Sequence, residues 1–368
     1  MLLSLFCGAG GLDLGFEEAG FDVALAFDKK ADSVLSYNHN RKGRSRDAAH
    51  VADVAALTPE ALDELHGTVF APSGVIGGPP CQSFSQANRS WTDGDPRHEL
   101  PIAFAKLLGS LNARNPVEFF VMENVTGLLD GHHSERLAAI EAAFAEAGFP
   151  AQKAVLTATD YCTAQMRERL FLVGYNKDIF PDLAWSAPKP TTREGDILTV
   201  RAKIGDLAEP VHFERGLDAE KFAVHRNHWC MKPKSRRFSE KGMLKEGDGS
   251  RRSFKVLPWD SPSFTVAYGN REVHVHPRCH RRLSVYEALL LQGFPKRYEL
   301  LGSLSSQIAQ VSEASTGVAS VSMSWPYRHR PASRRSESRA PRPMGSTSSC
   351  ARRSRAKDKA EEFGSEIS

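Results

Sequence analysis

Short apolar runs alternate with segments of helical spacing over the first 174 residues of the chain. Each apolar run is of a length typical of a buried strand, and each intervening segment repeats its apolar positions at three- and four-residue intervals. This alternation predicts an α/β fold with a doubly wound sheet, in which the helices cover both faces. The predicted strands are 2–6, 23–27, 74–76 and 117–122, and the predicted helices are 12–19, about 100–111 and a segment capped by Ser134 and closed by Gly148.

The pattern changes near residue 186, where prolines and polar residues predict a linker. Residues 226–255 then carry ten Lys/Arg against three acidic residues, with aromatic residues among or beside them. Such clustering favours a surface that follows nucleic-acid phosphates over an ordinary solvated face. Residues 1–185 are therefore interpreted as one domain and 186–280 as a smaller second domain.

The net charge of +4 comes from the C-terminal end of the chain. Residues 322–368 carry eleven Lys/Arg against five acidic residues, so the rest of the chain has a net charge of about −2. This Ser/Arg/Pro-rich tail is predicted to be disordered, because its composition cannot bury a core. There is no apolar run of bilayer length and no signal peptide, and the six cysteines form no paired framework. We therefore expect a cytoplasmic protein without membrane association.

A glycine-rich turn follows the first predicted strand, and a helix follows the turn. Phe6, Gly8, Gly10 and Gly11 form a cradle of the kind in which backbone approaches a nucleotide closely. The spacing departs from G-x-G-x-x-G, which argues against a nicotinamide cofactor. An acidic residue after the second strand, here Asp28, commonly binds ribose hydroxyls.

A second turn, Gly77-Gly78-Pro79-Pro80-Cys81, follows the strand at 74–76. The glycines permit a tight turn and the prolines exclude the next segment from the sheet, so a thiol is placed on a loop at the carboxyl edge. A lone cysteine is more often a buried structural residue. The polar segment 86–97 is long enough to form a lid over a ligand.

Two groups of histidine and cysteine residues lie near 225–230 and 274–280, but neither has a C-x-x-C pair or zinc-finger spacing. We predict no metal site. Val273 and Val275 alternate with histidines, as in a half-exposed strand.

Six ordered motifs between residues 2 and 311 resemble those of the DNA (cytosine-5)-methyltransferases, the family typified by bacterial restriction–modification enzymes. Beyond the two turns they include Asp53, Glu123-Asn124-Val125 and Gln165-x-Arg167-x-Arg169. The closing motif runs from Arg281-Arg282-Leu283-Ser284 and Glu287 to Leu291-Gln292-Gly293-Phe294-Pro295. The resemblance implies a Rossmann-like methyltransferase domain, a target-recognition domain over 186–280, and a return to the catalytic domain over 281–321.

The resemblance also implies roles for the residues in these motifs. Cys81 is the expected nucleophile, Glu123 a proton donor to the base, and Arg169 a contact to its O2 atom, with Arg167 and Gln165 in support. The implied methyl donor is S-adenosylmethionine. Its expected contacts are Phe6, Gly8, Gly10, Gly11, Leu12, Phe27, Asp28, Asp53, Val54, Pro79 and Leu100. The expected DNA contacts are Ser85, Arg97, Thr265 and Val266.

These roles fit the chemistry of the residue types. A thiolate that adds to C6 of cytosine makes C5 nucleophilic, which divides one difficult step into two. Because the target atom is stacked inside a duplex, the base has to be flipped out. The expected partner is double-stranded DNA bound by a monomer at the nucleoid of a prokaryote, with a cognate restriction endonuclease in the same system.

Three positions depart from the family pattern. Ala26 stands where a ribose-binding Glu is usual, Ser4 stands where Asp is frequent, and the sequence after Ser312 lacks the usual Asn-Ala-Val-Pro-Pro segment. The last departure predicts a frameshift or rearrangement near Ser312, with a true basic, nucleic-acid-binding tail as the alternative. An impaired or inactive DNA-binding remnant is thus the alternative function, and a nucleotide-binding oxidoreductase or an RNA methyltransferase fits the motifs less well.

Overall fold

The computed structural model describes residues 1–41, 47–80, 96–193, 195–250, 254–265 and 274–314. Within these ranges a seven-stranded sheet has the order β3-β2-β1-β4-β5-β7-β6. The first five strands of this order are mutually parallel, and β7 is antiparallel to both of its neighbours. The strands are β1 (Leu2–Leu5), β2 (Val23–Asp28), β3 (Ala49–Val51), β4 (Gly74–Gly77), β5 (Phe119–Asn124), β6 (Ala151–Thr157) and β7 (Glu168–Tyr175).

Five helices cover the two faces of this sheet. They are α1 (Gly11–Glu18), α2 (Ala31–His39), α3 (Pro59–His66), α4 (Leu100–Arg114) and α5 (Ser134–Glu146). Residues of α3, α4 and α5 pack in one core cluster, where the rings of Phe120 and Phe144 stack 3.8 Å apart. Residues of α1 and α2 pack in a second cluster that includes Phe16 and Tyr37. The three-layer α/β fold expected from the sequence is confirmed.

The start of α5 differs in detail from its prediction. Ser134 is the first residue of the helix and not its cap, and its hydroxyl donates to the carbonyl of Gly131 at 2.9 Å. A hydroxyl that is turned back to a preceding carbonyl does not accept from the free N–H groups of the first turn.

The described residues of 186–280, which we call the second unit, form short elements, and two longer helices follow them. The elements are α6 (Val200–Ile204), β8 (Val211–His212), β9 (Trp229–Cys230), α7 (Arg236–Ser239), α8 (Val285–Leu291) and α9 (Leu304–Glu313). Every residue of α8 is buried, and this helix packs in one cluster with α9, Trp229 and Ala9. The predicted strand near 275 is reduced to isolated bridges that Val275 makes to Val256 and Arg282, while residue 273 lies outside the described residues. None of the helices in the described ranges is long and apolar enough to cross a bilayer.

Candidate active site at the carboxyl edge of the sheet

The order of the strands brings three predicted motifs to one edge. Strands β1 and β4 are adjacent, with Leu5 opposite Gly77, and β4 and β5 are adjacent, with Gly77 opposite Met122. The chain winds outward in opposite directions from β1 and β4, so this edge is the switch point at which α/β sheets bind ligands. The glycine turn, the Pro79-Pro80 segment and Glu123 therefore lie side by side.

Gly77 permits the close approach of β4 to β1. A Cβ atom at this position would lie 2.5 Å from the carbonyl oxygen of Leu5, which no side chain tolerates. The chain leaves β4 through Pro79, which is buried, and Pro80, which is exposed. The predicted nucleophile Cys81 and the predicted DNA contact Ser85 lie outside the described residues.

Glu123 and Arg169 form an ion pair at the same edge. The last residues of β5 pair with the first residues of β7, with Glu123 opposite Phe171. Arg169 Nε lies 2.8 Å from Glu123 Oε1, and the two side chains are 16% and 9% exposed. Nη1 of Arg169 also donates to the carbonyl oxygen of Glu168 at 2.7 Å, and this bond fixes the orientation of the guanidinium group. The pair is nearly enclosed, yet it keeps some access to the open edge.

The segment before β7 is paired with residues 263–265 of the second unit. Gln165 forms a parallel bridge with Ser263, and Met166 N–H donates to the Ser263 carbonyl at 2.8 Å. The hydroxyl of Thr265 donates to the Met166 carbonyl. One predicted catalytic residue, Gln165, and one predicted DNA contact, Thr265, are thus held on one stretch of paired backbone. Val266, the other predicted DNA contact here, lies outside the described residues.

Arg167 and Gln165 are both buried beneath this edge. Arg167 donates to the carbonyl oxygen of Ala314, just after α9, at 3.0 Å. The amide of Gln165 is fully buried and has no hydrogen-bond partner among the described residues. A buried amide without a partner is costly, so this position is typical of a site completed by a bound molecule or by water.

The glycine turn has a strained and open backbone. Phe6 has φ of +55° and Gly8 has φ of +53°. Gly8 N–H donates to a carboxylate oxygen of Asp28 at 2.9 Å, while a Cβ atom on Gly8 would meet nothing within 4 Å. Gly10, with φ of +86°, is the N-cap of α1. The turn therefore presents bare backbone to open space at the carboxyl edge.

The other predicted cofactor contacts differ in how far they are exposed. Asp53 is exposed, and the pKa of its carboxyl is lowered by hydrogen bonds from Lys29 and from the backbone of Ala55. Phe27 is fully buried and presents no exposed face to a ligand in this structure. Gly11, Leu12 and Val54 are buried, whereas Phe6, Asp28 and Leu100 are half-buried. An open glycine turn flanked by two carboxylates and apolar side chains fits an adenosine-containing ligand.

A sequence profile described as C-5 cytosine-specific DNA methylase matches residues 1–318 of the chain. The chain belongs to this family. It is 31% identical to the Type II methyltransferase M.FnuDI of Fusobacterium nucleatum over 323 residues, which cover 81% of this chain and 85% of the relative. It is 32% identical to M.MthTI of Methanothermobacter thermautotrophicus over 317 residues, which cover 80% and 86%.

Solved structures show the same fold at lower identity. A prophage-encoded protein of E. coli, described as a candidate DNA modification methyltransferase, aligns with a TM-score of 0.69 at 21% identity, covering 87% of this chain and 96% of that chain. The S. pombe Dnmt2 methyltransferase aligns with a TM-score of 0.55 at 18% identity, covering 87% and 95%. This methylase therefore has the Rossmann-like fold expected from its motifs.

The histidines of the second unit are structural contacts in this methylase. His228 Nδ1 lies 2.9 Å from the hydroxyl of Ser284, and its Nε2 lies 2.7 Å from the carbonyl oxygen of Ala208. Burial raises the pKa of the neighbouring Cys230 thiol to about 12. Across the described part of the chain, no group of three His, Cys, Asp or Glu side chains is placed to hold a metal ion.

Several contacts at this edge have no counterpart in any sequence pattern. Lys30, next to the Asp28 end of β2, forms an ion pair with Glu313 at 2.5 Å. This ion pair and the bond from Arg167 to Ala314 hold the end of α9 at the carboxyl edge of the sheet. Partners 283 and 147 residues apart have no shared periodicity or spacing, so only the folded chain identifies them. Arg97, a predicted DNA contact, is half-buried in the turn of 3-10 helix at Pro96–Glu99 that leads into α4.

Proposed function

We propose that this chain transfers a methyl group from S-adenosylmethionine to C5 of a flipped-out cytosine in a specific duplex sequence, protecting DNA in a restriction–modification system. The observation that carries the proposal is the enclosed Glu123–Arg169 pair at the switch point, 2.8 Å apart. This pair stands at the same edge as the glycine turn and the strand that leads to Cys81. Membership of the C-5 cytosine-specific family supports the choice of target atom.

The covalent step assigns a role to each of three residues. The Cys81 thiolate forms a bond to C6, and the electron pair of the C5–C6 double bond shifts toward C5 and the N3–C2 portion of the ring. Glu123 supplies a proton at N3, and the Arg169 guanidinium stabilises negative charge at O2. After C5 gains its substituent, N3 returns its proton to Glu123, and loss of the C5 proton to water expels the thiolate and restores the aromatic ring.

The cofactor site is assigned to the open glycine turn. S-adenosylmethionine, when bound, supplies the electrophilic methyl group. Gly8 leaves room for close approach to the backbone. Each carboxylate oxygen of Asp28 and Asp53 already accepts one hydrogen bond within the protein, and its second lone pair can accept from a hydroxyl or amino group. Phe6 and Leu100, both half-buried, provide apolar contact. These residues bind and orient the donor and exclude water from the edge.

The second unit is proposed to bind the DNA duplex. Its exposed cations can contact phosphates, and the ring of Phe254 is in contact with two guanidinium groups, with Arg282 at 4.5 Å and Arg237 at 4.8 Å from its centroid. Thr265 connects this unit to the backbone carbonyl of Met166, next to Arg167. Among the described residues of 226–255, the exposed cations are Lys232, Lys234, Arg236, Lys241 and Lys245.

A methyl-transfer assay with labelled donor and host DNA tests the proposal, and bisulfite sequencing identifies the methylated cytosines. Cys81→Ser is expected to abolish transfer with little effect on DNA binding. Cys162→Ser, at a half-buried thiol outside the motifs, serves as the matched control and is expected to keep activity. A duplex with 5-fluorocytosine at the target is expected to trap the wild-type protein covalently. Absence of trapping together with full activity of Cys81→Ser would contradict the mechanism.

An inactive DNA-binding remnant is the alternative, favoured by the absence of the usual Asn-Ala-Val-Pro-Pro segment after Ser312. The two functions differ in one measurement, because both bind DNA and only the enzyme transfers methyl groups. If transfer is absent, replacing residues from 313 onward with the corresponding segment of a relative tests whether a lost cofactor-pocket wall is the cause. A search of the other reading frames after codon 312 tests the frameshift directly.

We also propose that the protein acts as a monomer on double-stranded DNA in a prokaryotic cytoplasm, at the nucleoid. A cognate restriction endonuclease is expected in the same system, since two relatives of this chain are named Type II methyltransferases. Disruption of the gene in the presence of that endonuclease is expected to be lethal to the host. Viability of such a strain would argue against a protective role.

A further inference from the structure

Residues 298–301, between α8 and α9, are bound on two sides by asparagine side chains; we call this segment the clip. Asn40 Nδ2 donates to the Glu299 carbonyl at 2.7 Å, and Glu299 N–H donates to Asn40 Oδ1 at 2.9 Å. Asn227, which is fully buried, makes the same pair of bonds to Leu300, both at 2.8 Å. Asn40 follows α2 at the sheet, and Asn227 belongs to the second unit. The clip therefore has a fixed position relative to both units.

One end of the clip touches the glycine turn. Tyr298 is 2% exposed, and its hydroxyl donates to the carbonyl oxygen of Ala9. Nη1 of Arg41 donates to the same hydroxyl at 3.4 Å, and Nη2 of Arg41 lies 3.5 Å from the Gly10 carbonyl oxygen. The carbonyl groups of the turn thus point inward, to Tyr298 and Arg41.

Arg41 is itself held firmly. Its guanidinium lies 3.6 Å from the ring centroid of Tyr37 and 2.9 Å from the carboxylate of Glu17. A Cβ atom on Gly10 would lie 2.8 Å from Arg41 Nη1 and 2.9 Å from Tyr37 Cδ2. The inner side of the turn is therefore packed tightly, whereas its outer side at Gly8 faces open space.

We propose that Tyr298, held by the clip, is a positioning residue that fixes the glycine turn in its ligand-binding conformation. This inference rests on the proposed function for the identity of the ligand, an S-adenosyl compound. A backbone that is already in its binding conformation loses less freedom when the ligand arrives, so affinity rises without a new contact. The clip is also bound by Asn227 of the second unit. The buried hydroxyl of Tyr298 therefore connects the second unit, through the clip, to the glycine turn.

Tyr298→Phe tests the hydroxyl alone, since the ring and its packing remain. Loss of the bond leaves the buried Ala9 carbonyl without this donor, and we expect the dissociation constant for S-adenosylhomocysteine, measured by calorimetry, to rise about five- to twentyfold. The matched control is Tyr161→Phe, which removes another buried hydroxyl that donates to a carbonyl, that of Pro188 at 2.8 Å. We expect less than a twofold change in the control, and no change in DNA affinity in either variant.

Hydrogen exchange gives a second readout that does not depend on ligand. Amides of residues 8–14 are expected to exchange faster in Tyr298→Phe and to be unchanged in Tyr161→Phe. Asn40→Ala is expected to act in the same direction. Its control is Asn38→Ala, because Asn38 makes the same pair of backbone bonds, at 2.9 and 3.0 Å, to Ala49 instead of the clip.

The outcomes separate this inference from the proposed function. If the wild-type protein binds S-adenosylhomocysteine and Tyr298→Phe binds it equally well, the positioning role is wrong. If both tyrosine variants weaken binding alike, the effect is general destabilisation and the inference is also overturned. If the wild type binds no S-adenosylhomocysteine, the proposed function fails, and unchanged exchange at residues 8–14 in Tyr298→Phe would then overturn the inference separately.

Discussion

Arg169 Nε lies 2.8 Å from Glu123 Oε1, and this contact joins the start of β7 to the end of β5. The antiparallel pairing of the two strands is what makes it possible, because it returns residue 169 to the edge where residue 123 ends. The carboxyl group and the guanidinium proposed to act at N3 and O2, on one edge of the pyrimidine ring, are thus held together by the fold.

Replacing this carboxyl group is expected to impair chemistry more than binding. Glu123→Gln is expected to lower the single-turnover methylation rate about a hundredfold or more, because a positioned proton donor contributes that much. Its control is Glu118→Gln, at the other end of the same buried stretch, with an expected change below threefold. A rate for Glu123→Gln within tenfold of wild type would contradict the role of Glu123.

An alanine at Gly8 is expected to block the cofactor site with little additional loss of stability. The position has φ of +53° and faces open space, so the new methyl group occupies the volume assigned to the ligand. Gly67→Ala is the control, since Gly67 also has positive φ and open space but closes α3 away from the site. Both variants are expected to lose about 1–2 kcal/mol of unfolding free energy from backbone strain. Only Gly8→Ala is expected to weaken S-adenosylhomocysteine binding, by tenfold or more, in calorimetry.

The buried pair between Arg281 and Glu287 is expected to dominate the stability of the return segment. Nη1 and Nη2 of Arg281 each donate to Glu287 at 2.9 Å, and Ser284 N–H donates to the same carboxylate at 2.7 Å. Glu287→Gln is expected to cost about 3 kcal/mol, because it removes the buried carboxylate partner of Arg281 and leaves that guanidinium paired with the more exposed Glu209. The control Glu240→Gln breaks an exposed pair with Arg236 at 2.6 Å and is expected to cost less than about 0.5 kcal/mol in urea unfolding.

Stability is expected to fall as the pH drops from about 6.5 to about 4. Burial lowers the pKa values of His225, His274 and His276 to about 4 in the folded protein, whereas the ordinary value is 6.5. Between these limits the unfolded chain binds protons that the folded chain does not, and each histidine contributes up to about 3 kcal/mol to the loss. Burial raises the pKa of Asp13 from 3.8 to about 6. Protonation of Asp13 therefore stabilises the folded protein as the pH drops, and it offsets part of the stability lost through one histidine.

Thermal melting between pH 7.5 and 4.5 checks this expectation. His276→Asn is expected to lose stability at neutral pH and to show a smaller decrease on acidification than the wild type. An unchanged melting temperature between pH 6.5 and 4.5 would contradict the buried, neutral state of these histidines. At still lower pH, protonation of Glu209 removes a further contribution to the free energy of unfolding. Burial acts to raise the pKa of Glu209, but hydrogen bonds from Arg281 and His280 hold it at about 2.

Local patterns were sufficient to predict the sheet and its edge. The apolar runs became β1, β2, β4 and β5 within a few residues of their predicted bounds, and the glycine turn became the N-cap of α1. These features depend on burial periodicity and on backbone freedom at glycine, which are properties of short segments. The motif order likewise identified the family, which the match over residues 1–318 confirms.

The sequence by itself determined the class of fold, the family and the residue types available for chemistry, since each is written in contiguous or regularly spaced positions. Only the tertiary structure decided that Glu123 meets Arg169, that Tyr298 supports the carbonyl of Ala9, and that Phe27 is buried below the edge. These contacts join residues up to 289 positions apart, and they arise because strand order and helix packing bring distant segments together. No local rule specifies such pairings, because they depend on how the whole core closes.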